Sequence, residues 1–237
     1  MSAQPVLEIL ADDSWRLRQA TMATRVFEAL RQAIVQLQLS PGNPLSEADI
    51  ARQLGVSRQP VREAFIKLAE VGLVDIRPQR GTFVRPISVR DVRNARFLRE
   101  AIEVAVVRKA AAEATSEQVR ALRRIVQDQR DVATHGGDTA DFLRLDEAFH
   151  QAIAAAASCE EAWRVVEGLK AQMDRVRYLS LPDATPLETI IGQHERIVDA
   201  IGRASPGEAE AAMRHHLSEI LISLPKLSAE KAKLFSP

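Results

Sequence analysis

The residues of this chain best suited to coordination chemistry are one aspartate and three histidines in three separate segments of its second half. Asp146 and His150 are four residues apart, so a helix would place both on one face. His194 lies in the segment Gln-His-Glu-Arg-Ile and His216 in Met-Arg-His-His-Leu. A carboxylate and three imidazoles that converge from three helices would suit a divalent transition metal and leave positions open for water or a ligand. An Asp and a His four residues apart on a helix are more often a surface pair or a satisfied buried pair, so the spacing alone is a weak signal for a metal.

A second group of residues is basic and lies in the first half of the chain. Arg58 and Arg62 are one helical turn apart, so they would project from the same face of a helix. An arginine near the N-terminal end of such a helix is well placed to donate two hydrogen bonds to guanine in the major groove. Ser57 and the first amides of the helix could hold a phosphate, and Gln59 is a weaker candidate for contact with a base edge.

A short basic hairpin is predicted directly after this helix. Residues 73–76 and 82–84 are strand-like, and the segment Arg-Pro-Gln-Arg-Gly separates them. Arg77 and Arg80, beside Gly81, would place positive charge at a tip that can lie along a DNA backbone or enter the minor groove. The order of a capped helix followed by a basic hairpin is that of a winged helix-turn-helix.

The helices needed to position these side chains can be located from apolar spacing, caps and breakers. Two further helices precede the arginine-bearing one, and the apolar residues Val61, Phe65 and Leu68 form the inward face of the latter. The first helix is predicted from Thr24, with its last apolar position at Leu37 and a stop at Pro41-Gly42. The predicted limits are Ser46 and Gly55 for the second helix, and Ser57 and Gly72 for the third.

Beyond Pro86 the sequence is helical throughout and shows no strand signal. Breaks near residues 115–116, 135–137, 158, 181–186 and 205–207 divide it into about six helices, the proportions of an antiparallel bundle. The predicted fold is therefore mainly α, with an N-terminal winged helix-turn-helix and an all-helical second half. The predicted segments are an N-terminal extension (1–20), a DNA-binding domain (21–86) and an all-helical domain (87–237), for which the family resemblance given below implies effector binding and dimerisation.

The composition of the chain excludes some classes of protein but does not indicate a specific function. The formal net charge is zero, but residues 21–87 carry nine Lys/Arg against six Asp/Glu, so this segment is at +3 and the remainder at −3. Cys159 is the only cysteine, which excludes an intramolecular disulfide and favours a reducing compartment. Neither an apolar run long enough to span a membrane nor a secretory signal is evident, so we expect a cytoplasmic protein.

The segment from Ser57 to Val84 resembles the GntR family of bacterial transcriptional regulators. The family pattern S-R-x-P-V-R-E-A-L-x-x-L-x-x-x-G-L-V is matched by S-R-Q-P-V-R-E-A-F-I-K-L-A-E-V-G-L-V, with Phe65 in place of leucine, and the wing ends in R-G-T-F-V. Some members use an arginine early in the second helix for a DNA contact, and Ala48 occupies the matching position here. The resemblance implies binding to a double-stranded DNA operator.

The second half resembles the FCD ligand-binding domain of the FadR subfamily. It contains D-x-x-F-H, a later Q-H-x-x-I and a terminal M-x-x-H-L, and His216 rather than His215 directly precedes the leucine. The resemblance implies zinc, nickel or a similar ion on Asp146, His150, His194 and His216. It also implies a homodimer on a palindromic operator, most often a repressor, controlled by a small carboxylate such as an organic or sugar acid. Candidate residues for binding this effector are Arg99, Arg175 and Arg177.

Two other functions are compatible with parts of this pattern. The helical half could serve only for dimerisation, with structural histidines. A metal-dependent hydrolase is the other alternative, but Glu147 and Glu195 adjoin predicted ligands at positions that diverge by about 100° on a helix, so neither is an evident general base. The sequence predicts a regulator and not an enzyme.

Overall fold

The computed structural model describes residues 20–181 and 185–236, which form two compact units. The first comprises the described residues up to Ser88 together with those from Lys233 onward, and the second runs from Val89 to Ala232. Residues 1–19 of the predicted N-terminal extension lie outside the described residues. The functions assigned above to the segments remain predictions.

The described part of the first unit combines three helices with short strands. Strands β1 and β3 are antiparallel, as are β2 and β3, in the sheet order β1-β3-β2, whereas β4 and β5 form a separate parallel pair. The pairing of β4 with β5 joins the C-terminal residues to the strand that precedes the helical unit. The elements are α1 (Met22–Val35), β1 (Pro44–Leu45), α2 (Glu47–Leu54), α3 (Arg58–Glu70), β2 (Val74–Arg77), β3 (Gly81–Val84), β4 (Ile87–Ser88) and β5 (Phe235–Ser236).

The ends of these helices follow the predicted limits with three exceptions, one of which is that α1 begins at Met22, after the N-cap residue Thr21, rather than at Thr24. The Ser46 hydroxyl accepts a hydrogen bond from the Asp49 amide at 3.2 Å, and Gly55 ends α2 with a φ of 63°. Helix α1 ends at Val35 rather than at Leu37, because the backbone turns into the left-handed region at Leu37. Ser57 occupies the N-cap position of α3, but its side chain makes no capping hydrogen bond.

Helix α3 buries the predicted inward face. Val61, Phe65 and Leu68 have at most 2% of their surface exposed, and α3 packs against α1, whose Leu30 and Ile34 are fully buried. This packing leaves the opposite side of α3 on the surface. The arginine-bearing face is therefore exposed because the apolar face is occupied.

The predicted hairpin is a three-residue connection between β2 and β3. Arg77 pairs with Gly81 across the strands, so residues 78–80 form the tip. The backbone at Gly81 has a φ of 103°, a conformation that favours glycine because it lacks a Cβ atom. The chain can thus reverse direction within a tight loop that carries Arg80.

The second unit is an all-helical bundle, as the sequence predicts. Its described residues form eight α-helices and one short 3₁₀ turn rather than about six helices. The two additional breaks fall at Lys170 and Glu219. Neither residue is a proline or a glycine, and the backbone at both positions stays close to helical values. The helices are α4 (Val89–Glu113), α5 (Ser116–Thr134), α6 (Thr139–Ala156), α7 (Glu160–Leu169), α8 (Ala171–Ser180), α9 (Leu187–Gly202), α10 (Pro206–Ser218) and α11 (Ile220–Glu230), followed by Ala232–Leu234.

The core of the bundle surrounds a small polar region. Helix α4 packs against α10 and α6, and α9 packs against α10 and α5. Phe142, Phe149, Leu122 and Ile197 are buried in the apolar cluster that results. Helices α4, α6, α9 and α10 thus bring the predicted metal ligands and their neighbours into one interior.

Candidate metal centre and nucleic-acid interface

The four predicted metal ligands lie together in the interior of the helical unit. Asp146 and His150 come from α6, His194 from α9 and His216 from α10. One potential ligand atom from each lies within 4.8 Å of all the others. Exposure is at most 8% for any of the four, so a surface Asp–His pair is ruled out.

The tautomer of His216 follows from a chain of hydrogen bonds that ends at a carboxylate. The Gln193 amide nitrogen donates to Glu219 at 2.8 Å, which orients the Gln193 carbonyl oxygen towards His216 Nδ1 at 3.0 Å. A carbonyl oxygen only accepts hydrogen bonds, so Nδ1 carries the proton. In the neutral ring, Nε2 of His216 then presents a lone pair to the cluster. Burial lowers the pKa of His216 well below its usual value, which keeps the ring neutral.

His150 is oriented in the same way by a buried carboxylate. Its Nδ1 lies 2.6 Å from Glu103 Oε2, and Arg99 holds the other oxygen of Glu103. Burial alone would raise the pKa of Glu103, but the charges of Arg99 and His150 lower it to about 2, so the carboxylate can only accept. His150 Nε2 faces His216 Nε2 at 3.1 Å. At this distance one ring can donate a hydrogen bond to the other, and a cation bound between the two nitrogens would take the place of that proton.

His194 completes the set of imidazoles. Its Nδ1 lies 2.8 Å from Gln129 Oε1, and its Nε2 lies 3.5 Å from Asp146 Oδ1 without a hydrogen-bond partner among the described residues. Burial lowers the pKa of His194 to about 3, and the ring stacks on Phe149 with centroids 4.1 Å apart. A neutral imidazole therefore directs a lone pair at a carboxylate.

Asp146 carries negative charge into the centre of this group. Burial alone would raise its pKa, but the nearby Arg177 guanidinium and the imidazoles hold the pKa well below its ordinary value. Four acceptor groups that converge with their protons turned outward match the way proteins prepare imidazole and carboxylate ligands for a metal. Asp146, His150, His194 and His216 could thus hold a divalent transition metal, with Glu103, Gln129 and Gln193 orienting the three rings.

A small cleft, with about 40 Å³ of interior space, opens beside the cluster. Its lining includes His216, Arg99, Arg177, Ser180 and Thr185. The Nη2 atom of Arg99 is buried and has no hydrogen-bond partner among the described residues. The cleft therefore combines two guanidinium groups with hydroxyl groups, which suits an anion.

The third predicted effector residue is placed differently. Arg175 is fully buried and lies outside the lining of this cleft, and burial lowers its pKa to about 10. Arg175 and Arg177 are two residues apart on α8 and so leave the helix in different directions. The structure brings Arg99 and Arg177 to the cluster, but not Arg175.

Residues adjacent to the cluster in sequence point away from it. His215 is exposed, which fits the choice of His216. Glu147 pairs with Lys170, and Glu195 pairs with Arg130 on the surface. Neither glutamate is engaged with the cluster as a general base would be.

The reading face of α3 is exposed, and a glutamate from α2 holds its two arginines. The side chains of Arg58 and Arg62 are 65% and 55% exposed. Glu47 Oε2 lies 3.4 Å from Arg58 Nη2 and 3.0 Å from Arg62 Nη2. Hydrogen bonds from Arg62 lower the pKa of Glu47, so the carboxylate stays ionised.

The remaining predicted DNA contacts surround this face. Gln59 donates to Glu63 on α3, and Ala48 is exposed on α2. In the wing, Arg77 lies 2.9 Å from Asp75 and 4.8 Å from the centroid of the Phe83 ring. Arg80 is exposed and makes no ion pair within the described ranges, so it is the freer charge of the two.

Sequence reasoning did not identify the residues that orient the site residues. Two of them lie close in sequence to predicted site residues: Glu103 follows Arg99 by four positions, and Gln193 directly precedes His194. These two could have been sought as polar neighbours of the predicted site residues. Residues separated by long stretches of sequence give no such signal. The group comprises Glu47, Glu103, Gln129, Gln193 and Glu219.

Within the described ranges, no helix is both long enough and apolar enough to cross a membrane.

Comparison with known proteins agrees with both halves of this description. Residues 22–84 match the model for bacterial regulatory proteins of the gntR family, and residues 95–219 match the model for the FCD domain. The HTH-type transcriptional repressor RspR of Escherichia coli K12 is 44% identical over 90% of this chain and 92% of its own length. A probable D-xylose utilization operon transcriptional repressor of Paenarthrobacter nicotinovorans is 33% identical over 88% of this chain and 91% of its own.

The solved structures support the fold. The structure of Escherichia coli McbR/YncC has a TM-score of 0.75 with 19% identity, and the match covers 87% of this chain and 98% of that one. The relatives are transcriptional regulators rather than enzymes. The sequence and the fold together show that the chain is a transcriptional regulator of the GntR family with a C-terminal FCD domain, in the FadR-like subfamily.

Proposed function

We propose that this regulator is a homodimeric repressor whose affinity for a palindromic operator is controlled by a small organic or sugar acid bound beside a divalent metal. The observation that carries the proposal is the convergence of Asp146, His150, His194 and His216 in the buried interior, with one potential ligand atom from each within 4.8 Å of all the others. The Gln193 carbonyl oxygen accepts a hydrogen bond from His216 Nδ1, so His216 Nε2 directs its lone pair towards the cluster, where a cation could bind it. The metal would supply positive charge and open coordination positions for a carboxylate.

The cleft beside the cluster favours an anionic effector. Arg99 lines the cleft; its Nε atom is held by Glu103, whereas its Nη2 atom is buried without a partner among the described residues. Burying a guanidinium nitrogen without a partner is costly, and a carboxylate can accept a hydrogen bond from it. Arg177 adds a second positive charge to the same cleft.

The DNA-binding half of the proposal rests on the exposed face of α3 and on the wing. Ser57, Arg58, Gln59 and Arg62 form one patch at the start of α3. The wing contributes Arg77, Arg80 and Gly81. A single winged unit reads few base pairs, so useful specificity requires two copies related by a two-fold axis, which matches a palindrome. Effector binding would then shift the population of dimers between arrangements that fit the operator and arrangements that do not.

A thermal-shift screen with small organic and sugar acids, run with and without a chelator, tests the proposal. We expect acids that raise the melting temperature only in metal-loaded protein, and we expect the same acids to change operator affinity without dissociating the dimer. The variant Arg99→Lys keeps the ion pair with Glu103 but loses the second donor, so it should retain metal and lose the acid-induced shift. The exposed variant Arg203→Lys serves as its control, since Arg203 pairs with Glu208 outside the cleft.

The outcome also distinguishes the proposal from a helical unit that only dimerises. Protein purified without an affinity tag should contain about one metal ion per chain, and His194→Ala should reduce this content and the thermal stability. Protein without bound metal, whose stability a chelator leaves unchanged, would support the dimerisation-only alternative. Acids that stabilise the protein yet leave operator affinity unchanged would refute control by the effector.

A further inference from the structure

The first residue of α2 occupies an unusual position relative to the reading face of α3. Glu47 follows the N-cap residue Ser46, so its backbone is fixed at the point where α2 begins. A carboxylate in the first turn is also favoured by the helix dipole. Glu47 is 11 residues from Arg58 and 15 from Arg62 in sequence, so the packing of α2 against α3 brings the three side chains together.

The contact between Glu47 and Arg62 is bidentate. Arg62 Nε donates to Glu47 Oε1 at 3.1 Å, and Arg62 Nη2 donates to Oε2 at 3.0 Å. Two parallel hydrogen bonds between a guanidinium and a carboxylate fix orientation more strictly than one. The pair therefore restricts Arg62 to one direction relative to α2.

The geometry of the guanidinium group determines which donors remain for another partner. The group has five N–H donors in a planar fork. Glu47 accepts from the edge formed by Nε and Nη2, and the opposite edge, formed by Nη1 and the second hydrogen of Nη2, is left for an outside partner. This edge makes no side-chain hydrogen bond within the described ranges, and 55% of the Arg62 side chain is exposed. Two parallel N–H groups of this kind match the O6 and N7 acceptors of guanine.

We propose that Glu47 is a positioning residue that sets operator specificity, because it holds Arg62 with its free edge directed outward. The inference rests on the proposed role of Arg62 in reading the operator. Holding the side chain in one orientation before binding reduces the conformational entropy that must be lost on binding. A rigid reader also discriminates more strongly than a mobile one, since a mobile arginine can satisfy phosphates of any sequence.

A merely structural role for Glu47 predicts a different result. Exposed ion pairs contribute little to folding stability, so removal of the pair should leave the melting temperature nearly unchanged. Removal of one negative charge near DNA should also strengthen, rather than weaken, binding to any sequence. A selective loss of operator binding therefore distinguishes positioning from general effects on folding or charge.

The experiment compares the full-length variants Glu47→Gln and Asp49→Asn with the wild type. Both remove one negative charge from α2, but Asp49 pairs with the exposed Arg52 and not with the reading arginines. The DNA probes are a duplex selected from a random library by the wild-type protein and a scrambled duplex of equal length, at the same salt concentration. We expect Glu47→Gln to lower the ratio of operator to scrambled affinity about tenfold, because Arg62 is kept but is no longer held in the orientation for a bidentate contact to a base. Asp49→Asn should leave the ratio unchanged.

Arg62→Ala separates failure of the inference from failure of the proposed DNA contact. A ratio that falls in Arg62→Ala but stays at the wild-type value in Glu47→Gln would overturn the positioning role and leave the DNA contact intact. An unchanged ratio in Arg62→Ala would overturn both. As a second readout, the Arg62 Nε–H proton should give an ordered NMR signal in the wild type that broadens or moves in Glu47→Gln. An identical signal in both proteins would contradict the proposal.

Discussion

The two candidate sites of this regulator use charge in opposite environments. On α3, Arg58 and Arg62 keep more than half of their side-chain surface exposed, and one carboxylate orients both. In the helical unit, Asp146 and the three histidines are almost fully buried, and each imidazole has its own orienting partner. Solvent compensates an exposed charge when a partner is lost, whereas a buried group has no such compensation. Mutation of the exposed site should therefore mainly change the specificity of DNA binding, whereas mutation of the buried site should mainly change the stability of the protein.

Removal of the proposed metal tests this contrast with the largest expected effect. A metal at a thousandfold excess over its dissociation constant stabilises the folded state by about 4 kcal/mol. We expect a chelator to lower the free energy of unfolding by this order, measured by chemical denaturation.

Neighbouring histidines on α10 provide a matched control for this prediction. His216→Ala should bind no stoichiometric metal, and a chelator should not change its stability further. His215→Ala should behave like the wild type, because His215 is exposed and lies outside the cluster. Equal metal content in the two variants would remove His216 from the proposed ligands.

Acid should destabilise the metal-free protein through the buried site before it affects the exposed one. Burial lowers the pKa of His194 to about 3 and that of His216 well below 6.5, so below pH 6.5 the unfolded chain binds protons that the folded chain cannot. The contribution of these imidazoles to stability is intact above pH 6.5 and is lost as the pH falls towards the folded-state pKa values. Each such imidazole should make the free energy of unfolding fall by about 1.4 kcal/mol per pH unit.

Hydrogen exchange on metal-free protein between pH 7 and pH 5 locates this effect. Amides of the helical unit should lose protection, after correction for the intrinsic rate, whereas those of the DNA-binding unit should change little. The pKa of Glu47 is lowered from 4.5, so its ion pairs persist throughout this range. Equal loss of protection in both units would contradict a pH effect centred on the buried cluster.

The sequence was sufficient to predict the parts of both sites that follow from local spacing. Arg58 and Arg62 project from one face because they are four residues apart, and the same holds for Asp146 and His150. The inward face of α3 and most helix ends followed from apolar periodicity and caps, as at Ser46 and Gly55. These features depend on residues within one or two turns of each other.

The features that sequence reasoning missed depend on packing between helices. Glu47 reaches Arg62 only because α2 and α3 pack together, and Gln129 reaches His194 across 65 residues. The breaks at Lys170 and Glu219 were also missed, since neither residue is a proline or a glycine. The backbone at both positions stays helical, so the chain bends there without a residue that breaks helices. Arg175 was a candidate for the effector site because its charge could bind a carboxylate, but the direction of its side chain depends on how α8 packs. Periodicity within one helix does not determine which face meets which neighbour.

The smallest predicted effect concerns the wing and extends the contrast to phosphate contacts. Arg80 lies at the hairpin tip without an ion pair in the described residues, whereas Arg77 is held by Asp75 and the Phe83 ring. If Arg80 contacts a phosphate, Arg80→Ala should weaken binding to operator and scrambled duplexes alike, and it should reduce the slope of log affinity against log salt by about 1. The slope is measured by titration at several salt concentrations. Arg77→Ala should change it less, because the Asp75 carboxylate already offsets the Arg77 charge. A larger change in slope for Arg77→Ala than for Arg80→Ala would show that Arg77 leaves its partners to bind DNA.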